Sequence, residues 1–417
     1  MDINLRLPRL QTLDSWRQFP NYRYLWTGNL FSNGAQWLQL FTAGWLVYEL
    51  SKDIGTTGLF VASLGAINLL PSVLIGPIGG VLGDKFNRKY LIMILQTFMA
   101  CVALSFAYLN TTGLVAVWHV YVYVIISGCC LCICQPLRNA LVANTVPREM
   151  IGNAMAVNVF TITGTRMIGP FFGGILIANL GFHWNFGIEA CLYLGTVIAL
   201  IRLKLPYRET TKKSSNTGVI QSLKEGILYI WKEDRTLLNL ITLSVIPELL
   251  LHPVWLLIPL FVAQVLGEGP QIAGFLWAVT GLGGLTSTIL FSSFGYIIKK
   301  GYIVLGAVIL GSIAVIFYAN STWAPLAFFL IAVMSFGQSA FRTTNSVLIQ
   351  SLAPDEYRLR ISTLLFHIKG FIIIPCVLAG LLIDLTSVRT GITCLGLIGL
   401  LLGIYFTITF HRVRKLL

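Results

Sequence analysis

Charged and titratable side chains lie deep inside long apolar stretches of this sequence. Three of them are suited to carrying a proton, namely Glu248, His252 and Glu189. Four are cations, namely Arg166, Arg138, Arg342 and Lys369. Charged groups inside a bilayer are costly and usually mark the path of an ion or a substrate. The set therefore indicates proton coupling and the binding of a small anionic or amphipathic molecule.

Glu248 lies near the middle of its apolar stretch and is the first candidate for a proton carrier. Desolvation favours the neutral form of a carboxyl group, which suits an acid that takes up and releases protons. His252 lies four residues later on the same helical face and is a candidate proton partner. Glu189 is the second candidate carrier. The alternative for Glu248 is a structural ion pair with one of the arginines.

The four cations are expected to contact the substrate or to balance these acids. Arg166 lies at a depth similar to that of Glu248 and is a candidate reciprocal partner for it. Arg138 and Arg342 lie nearer one end of their stretches, at comparable depths in the two halves of the chain. For this pair the alternative is that the long side chains reach the membrane surface.

The elements that must position these residues are membrane-spanning helices. Hydrophobic residues make up 56% of the 417 residues and charged residues only 11%, against roughly 45–50% and 25% in soluble proteins. The mean hydropathy of +0.79 excludes a soluble enzyme, a disordered chain and a secreted disulfide-rich domain. A helical span needs about 20 apolar residues, and backbone groups in lipid must pair within the segment. Twelve spans are predicted, at 22–49, 57–82, 89–109, 117–143, 153–179, 184–204, 235–262, 271–297, 303–319, 323–349, 361–384 and 388–410.

The distribution of positive charge orients these spans. If the N-terminus is inside, 23 of the 29 Lys and Arg residues fall in inner segments and 2 in outer loops. This bias predicts that both termini are cytoplasmic, in a multi-pass protein of a bacterial inner membrane. Glu49 and Asp384 lie at outer span ends and are expected to be solvated.

The spans divide into two equal sets. Residues 146–156 (VPREMIGNAMA) and 353–363 (APDEYRLRIST) follow the fourth span of each set and form a weak internal repeat. Repeats of this kind are typical of transporters built from two six-helix halves. We therefore predict an all-α membrane protein with bundles at 1–204 and 235–417. The linker at 205–234 is predicted to contain an amphipathic surface helix, or alternatively a solvated connector helix.

A short charged turn joins the second and third spans. Its distinctive residues are Gly80, Asp84, Lys85, Arg88 and Lys89. An acid here can face a helix N-terminus, and the bases can hold facing helix ends. The turn resembles the G-x-x-x-D-R/K-x-G-R-R/K signature of the major facilitator superfamily, except that Asn87 replaces a glycine. The departure is mild, because asparagine tolerates the left-handed conformation that glycine favours. The resemblance implies a gate that closes the cytoplasmic side in the outward-facing state.

The fifth span carries a motif of small residues, namely Gly164, Gly169, Pro170, Gly173 and Gly174. It is similar to the G-P-x-x-G-G motif of the superfamily's drug–proton antiporters, which implies export. The alternative is helix packing alone. Short strings at 21–25, 45–50 and 70–71 resemble the branch that contains the enterobactin exporter and macrolide-efflux proteins. That branch implies a siderophore or a drug as substrate.

Other functions lack their motifs in this sequence. There is no G-x-x-x-x-G-K-[ST], HExxH or GxSxG sequence, so neither ATP hydrolysis nor intramembrane catalysis is indicated. The run of cysteines at 129–134 suits helix packing better than a metal site. We expect no cofactor, metal or nucleic-acid partner and a monomer in the lipid bilayer. An importer or facilitator of a small metabolite and a non-transporting receptor or scaffold stay open as alternatives.

Overall fold

The computed structural model of the chain describes residues 14–75, 86–206, 228, 230, 235–294, 299–354, 361 and 369–416. The predicted spans appear in it as helices, which we number in chain order. The first bundle contains α1 (Pro20–Ser51), α2 (Thr57–Leu74), α3 (Arg88–Thr111), α4 (Val117–Thr145), α5 (Ile151–Leu180) and α6 (Phe182–Ile201). The second contains α7 (235–266), α8 (Pro270–Phe294), α9 (Lys300–Asn320), α10 (Ala324–Leu352), α11 (Ile373–Leu385) and α12 (Val388–Thr409). The all-α, twelve-helix architecture predicted from the sequence is confirmed.

The helix α7 is not the continuous span that hydropathy predicts. It is a series of helical pieces with wider, π-type turns at Ile246–Leu251 and Val262–Leu266. Three prolines interrupt its backbone ladder, since a proline has no N–H to donate. The side-chain amide of Gln338 in α10 donates to the carbonyl of Pro247 at 2.7 Å and satisfies one acceptor of this irregular backbone. Glu248 lies within the first wide turn.

Each bundle has its own internal helix contacts, and separate contacts join the two bundles. Helix α1 contacts α4, α5 and α6 in the N-terminal bundle, and α9 contacts α10 and α12 in the C-terminal bundle. The two bundles meet along α2 with α11 and α5 with α8. The short helices Asp14–Gln18 and His411–Arg414 lie at the same end of the molecule, against the starts of α5 and α9. We call this the inner end, following the charge distribution, and the opposite end the outer end.

Local signals explain several helix ends. Pro20 starts α1, a position that does not need its missing N–H. Gly181, at a φ of +86°, ends α5. Asn87 does not use the left-handed conformation: its backbone is extended, and its side chain accepts a hydrogen bond from the Lys89 N–H at 3.1 Å. Asn87 therefore caps α3, and that role accounts for asparagine at this position.

Several predictions fall outside the described residues. Gly80, Asp84 and Lys85 of the charged turn are among them, as are most of the predicted amphipathic helix and part of the second repeat. In the linker, Leu228 is exposed and Ile230 is buried against the core.

Candidate functional site: charges between the two bundles

Glu248 and Arg342 form an ion pair at the face of the C-terminal bundle. One carboxylate oxygen of Glu248 accepts from Arg342 Nη2 at 3.0 Å and from Nε at 3.1 Å. The two side chains are unequally exposed, at 10% for Glu248 and 41% for Arg342. Arg342 therefore does not reach for the membrane surface. It holds the buried carboxylate and keeps part of its guanidinium open to the space between the bundles.

Arg166 lies between two tryptophans that belong to different bundles. Its guanidinium carbon is 3.6 Å from the ring centroid of Trp255 in α7 and 5.5 Å from that of Trp37 in α1. Cation–π contacts of this kind stabilise a desolvated guanidinium. Its buried Nε has no hydrogen-bond partner, and it interacts electrostatically with both Glu248 and Arg342. The expected partner of Glu248 was Arg166, but the ion pair is made by Arg342.

Among the described side chains, the central site thus contains one acid and two cations beside aromatic rings. His252 belongs to its edge, with its ring 5.0 Å from that of Trp255. Lys369 lies in a 3-10 turn immediately before α11, and its side chain is not described. The arrangement suits a ligand with an anionic group and an apolar or aromatic body, because guanidinium groups and indole rings bind these two features.

Arg138 and Glu189 lie elsewhere, inside the N-terminal bundle. Arg138 is 5% exposed and donates from Nη1 to Ser32 Oγ at 3.0 Å. Glu189 is fully buried and accepts from the Tyr123 hydroxyl at 2.5 Å. Tyr193 of α6 links their surroundings, because it hydrogen-bonds with Glu189 and interacts electrostatically with Arg138. The structure therefore places both charges inside the N-terminal bundle and not in the central site.

Arg138 borders a small cavity of about 20 Å³ inside this bundle. Four helices line it, and the lining side chains are Ser32, Gln36, Gln96, Met99, Ser127, Cys130, Leu131, Arg138 and Tyr193. The Ser32 hydroxyl donates to Gln96 Oε1 at 3.0 Å. Sequence reasoning missed this polar interior. The available signal was a stripe of Asn29, Ser32, Gln36 and Gln39 at helical spacing along α1.

The small residues of α5 bring the bundles together near the outer end. A Cβ atom on Gly174 would clash with the Pro270 carbonyl of α8, and one on Gly274 would clash with the Pro170 carbonyl of α5. Gly169 and Gly173 pack instead on α1, and Gly164 has open space beside it. The motif therefore has two packing faces, to which Gly164 does not contribute.

A second outer contact joins α2 to α11. The Asp384 carboxylate accepts from the backbone N–H groups of Gly58 at 2.6 Å and Leu59 at 2.9 Å. Gly58 and Gly380 also approach too closely for a Cβ atom on either. The expectation that Asp384 is solvated is wrong, because it caps the first turn of α2. Glu49 forms a half-exposed pair with Lys52 at 2.8 Å.

The charged turn keeps part of its predicted role at the inner end. Lys89 donates from Nζ to the carbonyls of Ile201 at 2.9 Å and Leu203 at 3.0 Å. The expectation that a base of this turn holds a facing helix end is confirmed for Lys89, which holds the end of α6. Arg88 is the first residue of α3.

Known proteins place this architecture in a family. A family model described as "Transmembrane secretion effector" matches residues 15–415. A Na(+), Li(+), K(+)/H(+) antiporter of Planococcus maritimus is 22% identical over 363 residues, which cover 79% of this chain and 82% of the antiporter. The enterobactin exporter EntS of Salmonella choleraesuis is 29% identical over 129 residues, which cover 30% of each chain.

The fold also matches a solved transporter. The crystal structure of a bacterial homolog of the human lysosomal transporter Spinster, inward-facing and unoccupied, superposes with a TM-score of 0.73. The match has 13% identity and covers 95% of this chain and 98% of that one. The predicted resemblance is thereby confirmed, and the chain is a multi-pass membrane transporter of the major facilitator superfamily that belongs to its family of transmembrane secretion effectors.

Proposed function

We propose that the chain exports a small amphipathic or anionic molecule, such as a siderophore or a drug, in exchange for protons. The observation that carries this proposal is the Glu248–Arg342 ion pair beside Arg166. The names of the two relatives support it, one as a cation/proton antiporter and the other as an exporter. We further propose a monomer in a bacterial inner membrane, with both termini cytoplasmic and a linker at 205–234 between the bundles.

Proton coupling follows from the ion pair itself. Glu248 holds Arg342 only while its carboxylate is ionised, so a proton breaks the pair and releases the guanidinium. In exchange, substrate and proton must exclude each other at one site. A substrate hydroxyl or amine that donates to the ionised carboxylate is displaced when Glu248 takes a proton. Arg166 and its two tryptophans bind the anionic and aromatic parts of the same molecule.

Alternating access needs contacts that close one end of the molecule at a time. Two close approaches between the bundles in the described residues lie near the outer end, Asp384 with Gly58 and Gly174 with Gly274. We propose that these contacts close the outer end in the inward-facing state. The turn with Asp84 closes the inner end in the outward-facing state, as its resemblance to the superfamily signature implies.

The test begins with a substrate screen. A deletion strain is examined for siderophore secretion and for sensitivity to drugs, and the compounds affected are taken to vesicles. Everted vesicles carrying the protein are given an acid interior, and the internal pH is followed as each compound is added. We expect wild-type vesicles to release protons when substrate is added. A protonophore that leaves transport unchanged contradicts exchange, and it would favour facilitated diffusion or another ion.

Two matched variants then identify the carrier. Glu248→Gln should abolish substrate-induced proton release while counterflow of substrate continues, and Glu189→Gln should retain proton release. Both replacements remove one buried carboxylate and keep the side-chain shape. The reverse result would assign coupling to Glu189. A substrate affinity that rises with Glu248 protonation would indicate cotransport instead of exchange.

A further inference from the structure

Among the described residues, Arg138 presents a buried positive charge that makes no ion pair. Its guanidinium makes one hydrogen bond there, to the neutral Ser32 hydroxyl, and its buried Nε has no partner. No acid among the described residues lines the adjoining cavity, and the carboxylate of Glu189 is hydrogen-bonded to Tyr123 and Tyr193 rather than to Arg138. Arginine keeps its charge inside proteins, so loss of the proton does not remove the cost of this burial.

The cavity beside Arg138 is polar but neutral. Hydroxyl and amide groups of Ser32, Gln36, Gln96 and Ser127 line it. The two hydroxyls already donate, Ser32 to Gln96 and Ser127 to Gln39, so the amide N–H bonds of Gln36 and Gln96 are the ones that can be donated to a ligand. The volume of about 20 Å³ leaves room for about one water-sized group. A guanidinium beside amide donors in so small a space matches the chemistry of a small anion.

We propose that this cavity, within α1, α3, α4 and α6, binds a small monovalent anion on Arg138. The shared chemistry is that of chloride and of a single carboxylate group, so the anion is either a free ion or the acidic end of an organic molecule. The site is separate from the Glu248–Arg342 pair, and the proposal does not depend on proton-coupled export. The anion compensates Arg138 and holds four helices of the N-terminal bundle together.

The first measurement uses purified protein in lipid nanodiscs. Chloride is titrated against gluconate at constant ionic strength, and binding is followed with radioactive chloride and by the midpoint of thermal unfolding. We expect saturable chloride binding and a rise in the midpoint of a few degrees. Unfolding that responds to ionic strength alone, without saturable binding, overturns the proposal.

Matched variants locate the anion. Arg342→Gln is the control, because it removes the corresponding arginine of the C-terminal bundle and should leave chloride binding within twofold of wild type. Arg138→Gln should abolish binding. Ser32→Ala keeps the charge and removes the hydroxyl that orients it, so it should weaken binding several-fold. If Arg138→Gln does not fold, the chloride affinity of Ser32→Ala is the deciding measurement. Unchanged chloride affinity in Ser32→Ala together with loss in Arg342→Gln would place the anion at the central site and overturn the proposal.

A final arm separates the two sources of the anion. Acetate and benzoate are tested as competitors of bound chloride. Displacement by both indicates a site open to the carboxylate of an organic molecule, whereas displacement by neither indicates a site for an inorganic ion. Both results support an anion on Arg138 and differ only in its source.

Discussion

Arg138 and Arg342 occupy comparable depths of α4 and α10, but their surroundings differ. Arg342 pairs with Glu248 and leaves 41% of its side chain exposed between the bundles. Arg138 is 5% exposed, is bonded to a serine and faces a neutral cavity. The same residue type therefore lies in the site between the bundles in one half and in the interior of a bundle in the other. Two-fold pseudosymmetry of the helices does not extend to their charges.

The comparison is tested most strongly by removing the paired arginine. Arg342→Gln removes the guanidinium that contacts Glu248 at 3.0 Å, and a lost charged hydrogen bond is worth about 1.5–3 kcal/mol. Because Arg342 is 41% exposed, solvent screening places the effect near the lower end, which corresponds to about tenfold in an equilibrium constant. We expect substrate-driven proton release to fall at least about tenfold.

The control for this prediction is Arg138→Gln in the same vesicles. It should reduce proton release less than Arg342→Gln, because Arg138 lies outside the central site. Equal losses in the two variants would mean that the two arginines act as one unit.

The comparison can also be reversed by giving Arg138 an acid of its own. Ser32→Asp places a carboxylate where the hydroxyl now accepts from Nη1 at 3.0 Å. The new ion pair should lower chloride affinity about tenfold, in line with the strength of a charge-assisted hydrogen bond. Chloride binding to the variant in nanodiscs is the measurement, and Ser32→Asn is the uncharged control. Chloride affinity that survives the added acid would contradict this account of Arg138.

A smaller effect is expected at the cation held by aromatic rings. Arg166→Lys keeps the charge but loses the flat guanidinium, whose carbon lies 3.6 Å from the ring centroid of Trp255. A cation–π contact contributes about 0.5–2 kcal/mol, so substrate affinity should fall roughly fivefold while proton coupling remains. Binding isotherms at fixed pH measure the first effect and vesicle pH records measure the second. An unchanged affinity would remove Arg166 from the binding site.

The smallest effect is expected at the outer contact. Asp384→Asn removes the negative charge that accepts from the start of α2, an interaction worth about 0.3–1 kcal/mol. The inward-facing population should fall by about two- to fivefold relative to the outward-facing one. Distances between spin labels at positions 112 and 322, which are exposed at outer helix ends of the two bundles, report the two states. Glu49→Gln is the matched control, since Glu49 bonds only within its own bundle, to Lys52. A shift of equal size in both variants would exclude a special role for Asp384.

The fold was predictable because lipid leaves few choices. Apolar runs long enough to span a bilayer must be helices, because no water is present there to hydrogen-bond the backbone. The Lys and Arg distribution then indicates which helix ends lie on the same side of the membrane. Hydropathy does not reveal where a helix changes from α-type turns to the wider π-type turns seen in α7. The sequence displays Pro247, Pro253 and Pro259, but the wide turns of α7 depend on tertiary partners such as Gln338.

The candidate site was predictable in residue type more than in pairing. Burial of a charge in an apolar run singles out Glu248, Arg166 and Arg342, but which arginine meets the acid depends on how α7 and α10 pack. Asp384 was misjudged for the same reason: its partners are backbone N–H groups more than 300 positions away in the chain. The residues that neighbour Asp384 in the sequence do not indicate partners so distant in the chain.

The contacts at the outer end are made largely from atoms that every residue possesses. Asp384 bonds to backbone N–H groups, and the contact of α5 with α8 is glycine against backbone carbonyl. Contacts of this kind demand one acid and a few small residues, and they place no demand on the side chains around the central site. Evolution can therefore change those side chains without rebuilding the outer contacts, which is one route by which a single scaffold comes to serve unrelated cargoes.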